Sequence, residues 1–391
     1  MTPTQPAPRL MPELRISTFY FSMFMSSGAA TVFGGIWFAQ KGLSTEQIGV
    51  INSAPILVLL AVGLWIGRIA DRAPDWRQAI VIGAVLAGVI PFGLYLVDGF
   101  WGILLVWTLA AVAQASIIPV LDAAAMRLSR RRGSDFGAIR AWGTIGYLLV
   151  IFATGYLVHW YGPALFVPLF IGTCLIRSAA AFWLPPFRAR PEERVAPSGA
   201  TKLLQVMKPW FLLPLVGWAM VYATHLILNA FQGLLWQRQG ISVETIGVLI
   251  TLGAVSEAVM FFAFRRLVGR FPARSLILLS AVVSAARWAA MGYSPGVAVL
   301  AAMQLLHAVT YAIGFLGCVQ FITNWTSEDI AAEAQSFFMT LQQAMAVVAL
   351  IGFGWFADLW GAQAYLASAG FAAVGAALIW LSRLMQGPKA N

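Results

Sequence analysis

Twelve stretches of this chain are each long and apolar enough to cross a bilayer, and they leave almost nothing from which to build a soluble domain. A span needs about 20 mostly apolar residues, and the runs at roughly 15–40, 47–70, 78–97, 101–127, 138–160, 163–185, 210–236, 245–264, 273–293, 296–322, 332–357 and 362–385 meet that rule. A chain of 391 residues has room for two or three soluble domains, yet only 10% of it is charged and 60% is hydrophobic. Soluble domains carry about 25% charged and about 45–50% apolar residues. That balance excludes a disordered chain, a collagen, a coiled coil and an ordinary cytosolic enzyme. The expected class is an all-α membrane protein of twelve transmembrane helices in a lipid bilayer.

The loops between spans are mostly short, with one exception. From Pro186 to Lys208 the chain gathers Arg188, Arg190, Glu192, Glu193, Arg194, Pro197, Ser198 and Gly199. Charge together with Pro, Ser and Gly marks a linker. The expected organisation is a tail at 1–14, a six-helix bundle at 15–185, a linker at 186–209, a second six-helix bundle at 210–386 and a tail at 387–391. With both ends in the cytoplasm, the outer loops hold only Lys41 and Arg238, three arginines fall within spans, and all the remaining Lys and Arg sit on the inner side. That bias sets the orientation. It also explains the net charge of +10 as inner-loop clusters and not as a nucleic-acid surface. The first residues are polar and Pro-rich and the apolar run after them is long enough to span, so no cleavable signal is expected. The expected location is the cell inner membrane, multi-pass, with both termini cytoplasmic.

The two halves echo each other. Residues 36–51 read IWFAQKGLSTEQIGVI and residues 234–249 read LLWQRQGISVETIGVL. Gly42, Ser44, Glu46, Ile48 and Gly49 match Gly240, Ser242, Glu244, Ile246 and Gly247 at one constant offset of about half the chain. Two six-helix units in the same orientation are the sequence trace of parallel transporter repeats.

Charges within spans carry the functional signal, because a charge at the bilayer centre costs about 2.5–3.5 kcal/mol on insertion scales. Five stand out: Asp122, Arg140, Arg177, Glu257 and Arg287. His225 and His307 add two groups that titrate near neutrality. Asp122 and Arg140 flank one short loop, so they can meet across adjacent antiparallel helices as a substrate clamp or as a structural ion pair. Glu257 and Arg287 are expected to form a second opposite pair in the other half. A carboxylate that exchanges an Arg partner for a proton is a physical basis for proton coupling. Arg177 lies about two turns from the inner end of its helix and is expected to snorkel.

No enzyme signature competes: HExxH, GxSxG, GxxxxGK[ST] and a strand-borne GxGxxG are all absent from the sequence. The histidines at 159, 225 and 307 lack metal-ligand spacing, and Cys174 and Cys318 sit in apolar runs, too few for a disulfide framework. Neither a metal nor an organic cofactor is expected. The sequon at Asn324-Trp325-Thr326 falls in an inner loop and is discounted.

The loop after the second span, Gly67-Arg68-Ile69-Ala70-Asp71-Arg72 followed by Arg77, resembles the signature loop of the major facilitator superfamily. The resemblance implies that Asp71 caps and pairs across that turn to control closure on the inner side, with Gly67 and Arg72 in the same gate. The second half keeps Arg270 but has Gly269 where the Asp would stand. Three more stretches look like the lactose permease and nucleoside symporter branch, most of all its phenylpropionate-transporter-type group. They are the run from Asp135 to Tyr147; Thr224-His225 with Gly253 to Glu257, Met260-Phe261-Phe262 and Arg287-Trp288; and Gln304 to Tyr311 with His307 inside it.

The resemblance covers nearly the whole chain. It implies that Arg140 binds substrate together with Asp122, and that Tyr147 packs on a substrate ring. Thr310 stands where the sugar permease has its proton-carrying Glu, and Glu257 lies about one turn from that permease's substrate-binding Glu. A lactose-like substrate is therefore disfavoured. The Pro-containing glycine motif of drug antiporters is absent between Gly137 and Trp160, which weighs against export.

The reading that follows is a monomeric secondary transporter importing a small organic acid, aromatic ones included, with protons. Asp122, Arg140, Trp142, Tyr147, His225 and Arg287 are the expected substrate contacts, and Glu257 and His307 the expected proton carriers. The proton gradient supplies the energy. Proton-coupled sugar or nucleoside uptake, metabolite or drug efflux, and a non-transporting membrane assembly factor are the alternatives.

Overall fold

The computed structural model describes residues 11–72, 75–134, 136–187, 207–268, 270–326 and 328–385. The N-terminal half comprises α1 (Met11–Gln40), α2 (Thr45–Arg72), α3 (Trp76–Val89), α4 (Phe100–Arg132), α5 (Phe136–Tyr161) and α6 (Phe166–Phe182). The C-terminal half comprises α7 (Pro209–Arg238), α8 (Val243–Leu267), α9 (Ala273–Met291), α10 (Val297–Trp325), α11 (Glu328–Trp360) and α12 (Tyr365–Leu384). No strand occurs among the described residues. Hydrocarbon offers the backbone no partners, so helices that satisfy themselves are the stable answer.

Each half packs within itself: α1 lies against α5 and α6, α3 against α4 and α6, α7 against α11 and α12, and α8 against α10. Large apolar side chains point out all around, among them Leu96, Trp101, Phe152, Trp160 and Phe262. In water such a belt would aggregate; here it is the lipid-facing surface. The linker residues 188–206 and the tails at 1–10 and 386–391 lie outside the described residues.

Helix ends depart from the hydropathy reading in understandable ways. The helix α4 runs to Arg132 because Arg131 and Arg132 are good helix formers that end on Gly133, whose φ of 66° supplies the left-handed stop. After α3 the chain tightens into a 3-10 turn over Ile90–Tyr95, with Pro91 near its start. Two π-helical turns, Leu228–Gln232 in α7 and Ala308–Ile313 in α10, have no counterpart in the hydropathy reading.

Contacts between the halves gather at the end away from the termini. There α2 packs on α11 and α5 on α8, a crossed arrangement that the internal repeat builds twice. Gly42 and Gly240 both turn with positive φ, 79° and 82°. Ile48 and Ile246 are both fully buried. Gly49 meets α11, where an added Cβ would stand 2.5 Å from the Leu350 carbonyl oxygen, and Gly247 meets α5 at Ile151 and Gly155. Polar ties close the same end. The Thr45 amide and hydroxyl donate to Asp358 Oδ1 at 3.2 and 3.0 Å, so α11 caps α2 across the halves. His159 of α5 pairs with Glu244 of α8 at 3.1 Å. At the terminus end the ties run within each half, Arg132 to Glu13 and Arg77 to the Phe182 carbonyl in the first and Arg383 to Ser275 in the second. The molecule is pinched at one end and parted at the other.

Candidate functional site

A cavity of about 300 Å³ lies between the halves. Phe24 of α1 with Thr144 and Tyr147 of α5 form one wall. The facing wall comes from α7, α8 and α10, including His225, Glu257, His307 and Tyr311. The two π turns border this wall on both sides. An i→i+5 turn swings the side chains before and after it out of ordinary helical register. Here it presents Gln232 from α7 and Thr310 from α10 to the same buried cluster.

Arg287 of α9 is the centre of that cluster and is 1% exposed. Its Nη1 donates to Thr310 Oγ1 at 2.9 Å and lies 3.1 Å from His307 Nδ1, and its Nη2 donates to Gln304 Oε1 at 2.5 Å. Among the described residues no carboxylate lies within ion-pair distance of Arg287. The expected Glu257–Arg287 pair is therefore not direct. Glu257 Oε2 lies 3.1 Å from His307 Nε2, and His307 stands between the two charges.

Donor logic then sets the direction of these hydrogen bonds. A guanidinium only donates, so His307 Nδ1 must accept from Arg287, leaving Nε2–H to donate to Glu257. Thr310 accepts from Arg287 and so can donate its hydroxyl hydrogen to His225 Nε2, 3.0 Å away. His225 Nδ1–H in turn donates to the Val221 carbonyl at 2.9 Å. Gln304 accepts from Arg287 and its Nε2 faces Gln232 Oε1 at 3.4 Å. Removing one neutral partner of such a buried group costs about 1–3 kcal/mol, since a buried donor is left unsatisfied.

Arg140 and Asp122 also meet, with Arg140 Nε 3.3 Å from Asp122 Oδ1. Asp122 accepts a second hydrogen bond from Tyr20 at 2.5 Å, a partner the sequence reading missed. The Arg140 guanidinium lies 6.0 Å from the Phe24 ring. The pair is outside the cavity lining and reaches the cavity through Phe24 and through Thr144, one turn on from Arg140.

Two expectations need correction. Trp142 does not face the cavity: it is 48% exposed on the stripe shared with Ile145, Leu149 and Phe152, about 160° around α5 from Arg140 at about 100° per residue. Arg177 does not snorkel: it is 0% exposed and turns inward, where Nη1 donates to Gln114 Oε1 at 2.6 Å and Ser26 Oγ at 3.0 Å. Gly67, Asp71 and Arg72 form the last turns of α2, and their side chains lie outside the described residues, as do Asp135 and Gly269 entirely. No cluster of three metal-ligating side chains occurs among the described residues. The carboxamides Asn229, Gln232 and Gln304 line the cavity; Gln304 opens the stretch that carries the family resemblance, and nothing in the sequence context of Asn229 and Gln232 singles them out.

The family model described as MFS_1 like family matches residues 13–379. Among curated relatives, the probable 3-phenylpropionic acid transporter of Escherichia coli (strain K12) is 27% identical, with 85% of this chain and 86% of the relative covered. The maltose permease of Geobacillus stearothermophilus is 28% identical, with 88% and 85% covered. Among solved structures, the nucleoside transporter NupG superposes with a TM-score of 0.81 at 17% identity, covering 96% of this chain and 99% of that one.

Proposed function

The chain belongs to the MFS_1 like family, whose relatives here are major facilitator transporters of small molecules and not enzymes, and from that premise we propose proton-coupled symport of a small organic acid by alternating access. The observation that carries this reading is His307, hydrogen-bonded to Glu257 on one side and to Arg287 on the other. Glu257 is the group that takes up and releases the proton, and His307 links its charge state to the Arg287 site. Arg287 lies behind the cavity wall and Arg140 outside its lining, so each favours a substrate carboxylate by its charge, Arg287 across Gln304 and His307 and Arg140 across Thr144. The rings of Phe24, Tyr147, Phe261 and Tyr311 suit an aromatic body, in keeping with the name of the Escherichia coli relative.

The Lys/Arg bias supports termini on the cytoplasmic side of the inner membrane. The pinched end then faces outward and the cavity is reached from the cytoplasm. Rocking of one half against the other reverses that access. The monomer suffices, with the proton gradient as energy source.

A second reading, uptake of a neutral hydroxylated substrate such as a sugar or nucleoside, is favoured by the carboxamides of Asn229, Gln232 and Gln304 in the cavity wall. Internal pH in proteoliposomes separates the two. Aromatic acids are expected to drive inward proton movement, absent in Glu257→Gln. Proton movement with sugars or nucleosides alone would favour the second reading, and none with any substrate would overturn both.

A further inference from the structure

A second cavity, of about 310 Å³, lies within the N-terminal half, walled by α1, α3, α4 and α6. Its polar side is Ser26, Ser27, Thr31 and Gln114, and its apolar side includes Trp107 and Phe170, stacked with centroids 5.3 Å apart. Behind the polar side sits Arg177, fully buried, with no described carboxylate within ion-pair distance. A cation so placed is held by neutral partners, the oxygens of Gln114 and Ser26 and the Cys174 side chain.

That compensation has a direction. Arg177 holds the carbonyl end of Gln114, so the amide end turns away and Nε2 donates to Ser27 Oγ at 2.8 Å. Ser27 Oγ is thereby an acceptor, and its own hydrogen is left for the cavity. The charge of a buried arginine is relayed to the cavity wall as hydrogen-bond donors. The C-terminal half repeats the device with Arg287, Gln304 and Gln232 around the central cavity. Thr31 and Ala111 keep the space beside the stacked rings open.

The N-terminal cavity adjoins the central one where Thr31 meets Tyr147. We infer that it is a second binding site for a small molecule with an aromatic body and a carboxylate head. The head meets the donors of Ser27 and Gln114, and the ring lies against Trp107 and Phe170. The inference stands on this cavity's own geometry and does not require the central cavity to bind the same compound.

The test uses two single-cysteine reporters, Ala111→Cys in this cavity and Ala254→Cys in the central one, in purified full-length protein. Modification by methyl methanethiosulfonate is followed by mass spectrometry; native Cys174 and Cys318 are buried at 1% and 0% exposure. The probes are 3-phenylpropionate, benzoate and, as a neutral control, phenethyl alcohol. The carboxylates are expected to slow Ala111→Cys modification about tenfold or more, with the neutral control much weaker. Adding Ser27→Ala or Gln114→Leu should raise the protecting concentration of the carboxylates about tenfold and leave the control unchanged. An unreactive Ala111→Cys, no protection by either carboxylate, or equal protection by phenethyl alcohol would overturn the inference. Protection at Ala111→Cys without protection at Ala254→Cys would uphold it while counting against the organic-acid reading of the central site.

Discussion

Gly354 of α11 lies so close to Gly49 of α2 that a Cβ added to Gly354 would stand 3.3 Å from the Gly49 Cα and 2.6 Å from the Thr45 carbonyl oxygen. Its counterpart is Gly155 of α5 against Gly247 of α8, where the added Cβ has 3.7 Å to the facing Cα. The pinched end is thus closed by backbone against backbone, tightly on one side and with ordinary contact on the other.

Substituting the tight side should bias the transporter. Gly49→Ala places a methyl group 2.5 Å from the Leu350 oxygen and penalises the pinched state alone. Overpacking of this kind costs about 1–3 kcal/mol, which shifts a two-state equilibrium about 5- to 150-fold. Spin labels across that end should report a larger open population in Gly49→Ala. An unchanged distance distribution would mean that Gly49 is not part of the closure.

Cutting the polar tie should loosen the other side. His159 meets Glu244 at 3.1 Å across the halves. Glu244→Gln should lengthen the distance between labels at Tyr161→Cys and Gln239→Cys. An unchanged distance would mean that the glycine contact of Gly155 and Gly247 holds this side by itself.

Arg140→Lys keeps the charge but loses the planar fork between Asp122 and Phe24. Uptake into proteoliposomes is expected to fall about tenfold or more, equivalent to about 1.4 kcal/mol. Near-normal uptake would leave the Asp122–Arg140 pair a purely structural tie.

Glu257→Gln retains an oxygen to accept from His307 Nε2–H, so the cluster geometry should persist while the titratable proton is lost. Accumulation against a gradient should disappear and substrate exchange should continue. Retained uphill uptake by the variant would assign proton coupling to another group.

Much of the architecture is legible in the residues. Span positions follow from hydropathy because each helix must cross the same thickness of lipid, and the repeated Gly, Ser and Glu are visible because two halves solve the same closure problem. What Gly49 and Gly247 touch is not legible, since their partners Gly354 and Gly155 lie far along the chain. Depth along a helix reads well from sequence, but the direction of a side chain does not. Arg177 has its expected depth and the opposite aim, because nothing local announces that Gln114 and Ser26 await it. Trp142 is a different kind of error: about 100° per residue already puts it opposite Arg140. The π turns have no compositional signature, so the register that brings Thr310 and Gln232 to Arg287 appears only in three dimensions.

The hydrogen bonds around Arg287 all run outward from it, through His307 to Glu257 and through Thr310 to His225. An arginine does not surrender its own proton. A proton arriving at Glu257 therefore meets a dead end and must leave by the mouth it entered, unless the halves have rocked in between. A wire that stops inside the protein cannot short-circuit the membrane. On the proposed coupling, the resting protein can sit in an energised bilayer without draining its gradient.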